Sequence, residues 1–333
     1  VAYLKAHYPA EFMAAVLSNG GGFYSPAVYI TECVRLGLKV LLPSVNESLC
    51  EYEGKGKEVR IGLMAVKETE KSGADMIVKE RTANGRYVSL ADFLVRTNYG
   101  YKQTETLIKC GAMDSFGQTR PTLLRLLDIY FNSKKLLDES GTNLFVNESL
   151  KLEKEIVTGR EFGIEEKCTY EYEIFGYMIS SHPLEFFGAE ISSPGIVKAS
   201  NMLKYNGRKV KMIGWYMTSK RIKTSKGDIM KFLSLEDLTG TFEAVIFPKA
   251  YQKYAELTIS MGPYLVEGIV DAANGNNIVV EKLSVLTAEK AKSVTQKERT
   301  GSDFFGDAEK PVAPDEIMLV NSLGREKLIS AYI

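Results

Sequence analysis

The sequence lacks the features that anchor small extracellular domains, membranes and metal sites. Its four cysteines, Cys33, Cys50, Cys110 and Cys168, are scattered over 333 residues with no C-x-x-C pair. That spacing argues against a disulfide framework or a zinc site, and a reducing cytoplasm is the expected compartment. No apolar run approaches the ~18 residues that cross a bilayer, and no signal peptide opens the chain, so no membrane is expected among its partners. Net charge is absent too, because 42 Lys and Arg balance 42 Asp and Glu. Any electrostatic argument about partners must therefore be local.

Catalytic motifs are equally scarce. There is no phosphate-binding glycine loop, no dinucleotide fingerprint, no His-x-x-x-His pair and no nucleophile beside an arranged base. Two-metal phosphoryl transfer needs clustered carboxylates, and no Asp-x-Asp is present. No catalytic residue, metal ligand or cofactor is assigned within this stretch.

What is present divides into a helical part and a strand-rich part. An interrupted helix over Val1 to Asn19 is followed by helices at Pro26 to Leu36, Leu63 to about Thr69, Ser72 to Arg81 and up to Arg96. Others are predicted at Gln103 to Cys110, Pro121 to about Leu137, Leu150 to about Ile164 and Tyr170 to Ile179. Leu38 to Pro43 and Glu58 to Gly62 read as strands. The short helices either side of Glu68-Thr69-Glu70-Lys71-Ser72-Gly73 form a helix-hairpin-helix candidate, a motif whose turn brings backbone N–H groups to a phosphate. Two carboxylates in this turn favour a structural role for it. A second helical pair follows Asn98, with Lys102, Lys109 and Arg120 as its nearby cations. Asp138 to Asn143 is a linker signal. Its neighbours Leu144 and Phe145 can dock in a partner's pocket or fold back on their own domain. His182, before Pro183, reads as a cap or turn residue.

Val210 to Leu286 carries strands at Val210–Thr218, Ile229–Glu236 and Phe242–Phe247, a helix at Pro248–Leu257, then strands at Tyr264–Asp271 and Ile278–Leu286. Three strands, a helix and two strands is the order of the OB-fold, whose strand 2–3 face and loops often bind oligonucleotides. From Lys204 to Lys226 there are eight basic residues and no acid: Lys204, Arg208, Lys209, Lys211, Lys220, Arg221, Lys223 and Lys226. Such a run suits sequence-independent phosphate contact. Trp215, Tyr216 and Phe232 lie on the first two strands, either as stacking platforms or as core. Thr287 to Pro314 reads as a linker containing Asp303-Phe304-Phe305, and Glu316 to Ile333 as the start of a further domain, so the chain reads as a piece of a longer protein.

Five stretches carry a resemblance: AYLKAHYPAEFMAAVLS (Ala2–Ser18), YITECVRLGLKVLLPSVNES (Tyr29–Ser48), VRIGLMAVK (Val59–Lys67), LIKCGAMDSFG (Leu107–Gly117) and IFGYMISSHPL (Ile174–Leu184). Together with the barrel they resemble the C-terminal half of the alpha subunit of bacterial DNA polymerase III, a replicative polymerase of the C family. The resemblance implies a multidomain α+β chain. Residues 1–45 would be the end of the fingers domain and 46–120 a tandem helix-hairpin-helix region on duplex DNA. Residues 121–200 would form a helical clamp-binding region and linker, and 205–288 the OB-fold near single-stranded template. Residues 289–314 would be a linker and 315–333 the start of a truncated C-terminal domain.

The function implied is DNA binding and clamp tethering in support of templated DNA synthesis, with the catalytic palm and its Mg2+ upstream. Expected DNA contacts are Lys220, Arg221, Lys223, Lys226, Lys211, Trp215, Phe232, Lys67 and Lys109. Leu144 and Phe145 are the expected clamp contacts, and other replicase subunits are further expected partners. Two positions depart from the family pattern. Lys67 is followed by Glu68-Thr69-Glu70 where the family usually reads Lys-Gly-Val-Gly, and Gly141-Thr142-Asn143-Leu144-Phe145 lacks the usual leading Gln. The alternatives from other classes are a non-catalytic single-strand-binding adaptor built on the OB-fold and an anticodon-binding barrel of a tRNA synthetase.

Overall fold

Proline and glycine punctuate the N-terminal unit as the sequence suggests. Pro9 opens α2 (Pro9–Ser18) directly after α1 (Ala2–His7), and Pro26 opens α3 (Pro26–Arg35). At the first helical turn proline loses no needed hydrogen bond and supplies the right φ. The computed structural model describes residues 1–20, 24–137, 159–260, 262–273 and 275–286. They fall into two compact units that divide between Ser181 and His182.

In the first unit, β1 (Lys39–Leu41), β2 (Glu53–Lys55) and β3 (Glu58–Arg60) form a small sheet in the order β1-β3-β2. β3 runs parallel to β1 and antiparallel to β2. The strand β2 was not legible as one: Glu-Gly-Lys has no apolar alternation. Its place is set by contact, because a Cβ on Gly54 would lie 2.1 Å from the Ala10 carbonyl oxygen. Only glycine lets β2 approach α2 this closely.

The expected helix over Leu63 to Thr69 is only a 3-10 helix, Leu63–Ala65. α4 (Lys71–Asn84), α5 (Leu90–Thr97), α6 (Tyr101–Lys109) and α7 (Arg120–Leu137) follow it. They enclose Leu63, Ile77, Phe93, Leu107, Ile108, Leu123 and Leu127, all fully buried. A second cluster joins Ala10, Met13, Ile30, Cys33, Val59 and Ile61. Burying one such aliphatic side chain is worth ~1.5–3 kcal/mol. α8 spans Ile164–Phe175 rather than Tyr170–Ile179, and Gly176 in the left-handed region ends it. The buried Glu171 carboxylate then holds the following loop, accepting from the Ile179 and Ser180 amides at 2.7 and 2.9 Å.

The second unit is a closed barrel of β4 (Lys209–Lys223), β5 (Ile229–Asp237), β6 (Gly240–Ile246), β7 (Tyr264–Asp271) and β8 (Asn277–Val285), in the order β4-β5-β6-β8-β7. β6 and β8 pair in parallel and the other neighbours are antiparallel. Three helical segments lie before the barrel, the 3-10 helix Pro183–Phe187, the short α9 (Gly188–Ile191) and the 3-10 helix Ala199–Tyr205. α10 (Pro248–Tyr254) and a 3-10 helix, Glu256–Ile259, sit between β6 and β7. This closed topology is the OB-fold, as strand order predicted. Met212, Leu233, Leu235, Ala244, Ile246 and Val266 fill the interior.

Candidate nucleic-acid interface

β4 is much longer than its sequence pattern indicated. Its pairing with β7 stops at Gly214, whereas its pairing with β5 continues to Lys223 opposite Ile229. β4 therefore runs on past β7 while still joined through β5 to β6, with a bulge between Tyr216 and Thr218. Only its last pairs, Ile222–Met230 and Lys223–Ile229, form a two-stranded hairpin tip. Its turn is closed by the Gly227 amide donating to the Thr224 carbonyl at 2.9 Å. Lys220, Arg221 and Lys223 are on the strand rather than in the turn, and Lys226 is in the turn. All four are exposed, and none forms an ion pair among the described residues.

The other cations of the same run behave differently. Lys211 sits opposite Glu267 on β7 and meets its carboxylate at 3.1 Å. This hydrogen bond is the main cause holding the Glu267 carboxyl below the usual range. Lys209 pairs with Glu281 at 2.5 Å, and Lys204 donates to Asn201 at 2.8 Å. The stretch is free of acids only along the sequence, because neighbouring strands supply them.

One face of the sheet carries the apolar part of the site. Lys220, Phe232 and Val245 are cross-strand partners in one row over β4, β5 and β6, so their side chains leave the sheet on the same side. Phe232 is half-buried. Two residues past Val245 on that side, Phe247 is 47% exposed. Phe247 does not stand out in the sequence, where it reads as the end of the third barrel strand. Its signal was the period of two from Val245. Trp215 lies on this face as well, opposite Glu236, but it is buried against Leu184 and Ile213. The segment ahead of the barrel thus covers it. His182 caps that segment: its Nδ1 accepts from the Leu184 amide at 3.1 Å, as the Pro183 pattern predicts, and its Nε2 lies 3.4 Å from Glu236.

The two hairpins of the first unit differ in their turns. In the first, Glu68 adopts φ 67°, the left-handed conformation that glycine tolerates best. Its carboxylate contacts Lys102 at 3.2 Å. Lys67 beside it is exposed and forms no ion pair among the described residues. In the second hairpin, Gly111 has φ 84°, and a Cβ there would fall 2.2 Å from the Arg120 Nη2. Arg120 is 1% exposed and grips Asp114 with Nε at 2.9 Å and Nη2 at 2.8 Å, while Nη1 donates to the Lys109 carbonyl at 3.1 Å. The Lys109 ammonium is itself engaged, by Glu105 and by the Tyr170 ring 5.4 Å away. Of the expected DNA contacts, then, Lys109, Lys211 and Trp215 are held within the fold. Lys67, Lys220, Arg221, Lys223, Lys226 and Phe232 are available to a ligand. Leu144 and Phe145 lie outside the described residues. Among those described, no group of three or more His, Cys, Asp and Glu is placed to hold a metal ion, and no helix is long and apolar enough to cross a membrane.

A helical unit with tandem hairpins and a closed OB barrel define this chain by architecture. Residues 37–123 match the helix-hairpin-helix motif family. Along 296 residues the chain is 33% identical to the DNA polymerase III subunit alpha of Saccharopolyspora erythraea, covering 82% of this chain and 25% of that protein. The subunit of Bacillus subtilis (strain 168) is 32% identical over 311 residues, 88% of this chain and 27% of its own length. That of Thermus aquaticus is 32% identical over 298 residues, 87% of this chain and 24% of its own. This chain is a relative of the DNA polymerase III alpha subunits and spans about a quarter of their length. Among solved structures, a domain of replication protein A from Methanococcus maripaludis is similar over 27% of this chain and 93% of its own, at 18% identity and a TM-score of 0.23. A likeness that slight carries no functional argument.

Proposed function

We propose that this chain is a DNA-holding part of a bacterial replicative polymerase, in which the barrel hairpin binds single-stranded DNA. The observation that carries this reading is the juxtaposition on β4 to β6. Four exposed cations that form no ion pair among the described residues, Lys220, Arg221, Lys223 and Lys226, line one hairpin, and Lys220 shares its face with Phe232 and the exposed Phe247. Phosphates neutralised by cations supply sequence-independent affinity, and bases stack on aromatic rings whatever their identity. The kinship with polymerase alpha subunits supports DNA as the ligand. The two hairpins of the first unit would contact duplex DNA, with Lys67 at the first turn. Nucleotide addition and its Mg2+ are assigned to lengths of the relatives that this chain does not span.

The test is direct titration of the 333-residue chain with a labelled single-stranded oligonucleotide at moderate salt. Saturable binding that weakens with salt supports the reading, and no binding at low salt overturns it. Clamp tethering through Leu144 and Phe145 is the second element of the proposal, supported by the aliphatic–aromatic pair in a polar segment. Surface plasmon resonance against a bacterial sliding clamp should show weaker binding of the Leu144→Ala/Phe145→Ala variant. Equal binding of variant and parent would overturn that element.

A further inference from the structure

At the root of the hairpin two cations face each other with no counter-charge among the described residues. Arg221 on β4 and Lys231 on β5 are direct cross-strand partners, so both leave the sheet on one side. That side alternates with the one bearing Lys220 and Phe232. Toward β6, Lys231 is paired with the fully buried Ile246. The 3-10 helix that closes this end of the barrel fixes its ammonium, which donates to the Thr258 carbonyl at 2.9 Å and the Thr258 hydroxyl at 3.1 Å. The hydroxyl in turn donates to the Ala255 carbonyl at 2.6 Å. An ammonium has three N–H donors, so one remains for a ligand. Neither residue forms an ion pair with a carboxylate among the described residues. Like charges directly opposite each other destabilise a sheet, and an anion between them reverses the sign.

We propose that Arg221 and Lys231 together seat a phosphate group, supplied by the backbone of a bound single strand. The proposal rests on the reading of the barrel as a single-strand-binding module and adds a contact on the face that Phe232 does not occupy. It makes binding proton-coupled. Burial and the neighbouring Arg221 push the Lys231 ammonium down to about 8. Arg221 is the one charge acting on it: Ile246 faces it from β6, Thr258 from the closing helix, and no carboxylate from β4, β6 or that helix contributes. A phosphate at the site raises the Lys231 pKa. Below about 8 the free protein already carries the proton and affinity is flat. Above it, binding must take up a proton, and affinity falls toward a limit of about tenfold per pH unit.

The experiment is fluorescence anisotropy of the 333-residue chain with a labelled oligodeoxyadenylate, whose bases do not titrate in this range. It runs at constant ionic strength from about pH 6.5 to about pH 9.5. The parent should lose affinity above its Lys231 midpoint. Lys231→Arg, charged throughout, should keep its affinity and show a flat profile. Arg221→Gln should weaken binding about tenfold at the low end and move the midpoint upward, because a repelling neighbour is gone. A parent profile as flat as that of Lys231→Arg, with binding intact, overturns this proposal alone. Absence of oligonucleotide binding at every pH overturns it together with the single-strand reading.

Discussion

Replacing Asp114 by alanine strands a guanidinium inside the second hairpin. Arg120 is 1% exposed and Asp114 45%. Removing one partner of a buried ion pair costs ~3–5 kcal/mol, because the other charge is left without compensation. Asp114 is nearly half exposed, so water can enter the vacated place, which lowers the expected loss to ~2 kcal/mol. Arginine has no neutral form to retreat to in this pH range. Arg120→Met removes the charge itself. It leaves Asp114 to solvent and the Lys109 carbonyl short of one donor, a loss of ~1 kcal/mol. The order of the two variants is the informative quantity. Hydrogen-exchange protection of the α6 and α7 amides in rising urea should drop further for Asp114→Ala than for Arg120→Met. Equal protection of Asp114→Ala and parent, or a larger loss for Arg120→Met, would refute the reasoning.

Phe232→Ala and Phe247→Ala should each weaken single-strand binding by ~1–3 kcal/mol with thermal stability near that of the parent, measured by anisotropy and thermal melting. Glu68→Gly should release ~1 kcal/mol of left-handed backbone strain and lose an exposed pair with Lys102 worth ≤ ~1 kcal/mol. With one carboxylate fewer at the turn, duplex affinity in gel-shift titrations should rise about threefold, and a fall would count against a DNA role for that hairpin. Lys211→Ala should change single-strand affinity less than Lys220→Ala, since Glu267 holds the Lys211 ammonium; the same anisotropy assay compares them.

The barrel was legible because its signals are local. Alternation, the Gly-Asn turn and the helix between the third and fourth strands each sit within a few residues. Its hairpin length was not, because nothing in Ser219 to Lys223 shows where β7 stops pairing. Lys211 and Lys109 looked free for a related reason. Glu267, the partner of Lys211, and Tyr170, the ring beside Lys109, are over fifty residues away along the chain and only the fold brings them together, whereas Glu105, the ion-pair partner of Lys109, is one helical turn away. Trp215 has the right face and the wrong cover, since Leu184 belongs to a segment that reads as a helix end. The second hairpin's glycines gave its turn away, whereas Glu68 disguised the first by placing a charged side chain at a left-handed position.

Whether the hairpin cations meet phosphates is tested most directly by the salt dependence of binding. Each phosphate contact on a single strand contributes about −0.7 to the slope of log affinity against log salt. Changing Lys220, Arg221 and Lys223 together to alanine should flatten that slope by about 2 and leave the barrel folded, because all three side chains are exposed. A variant that binds as tightly as the parent, with an unchanged slope, would contradict the placement of the single strand on this hairpin.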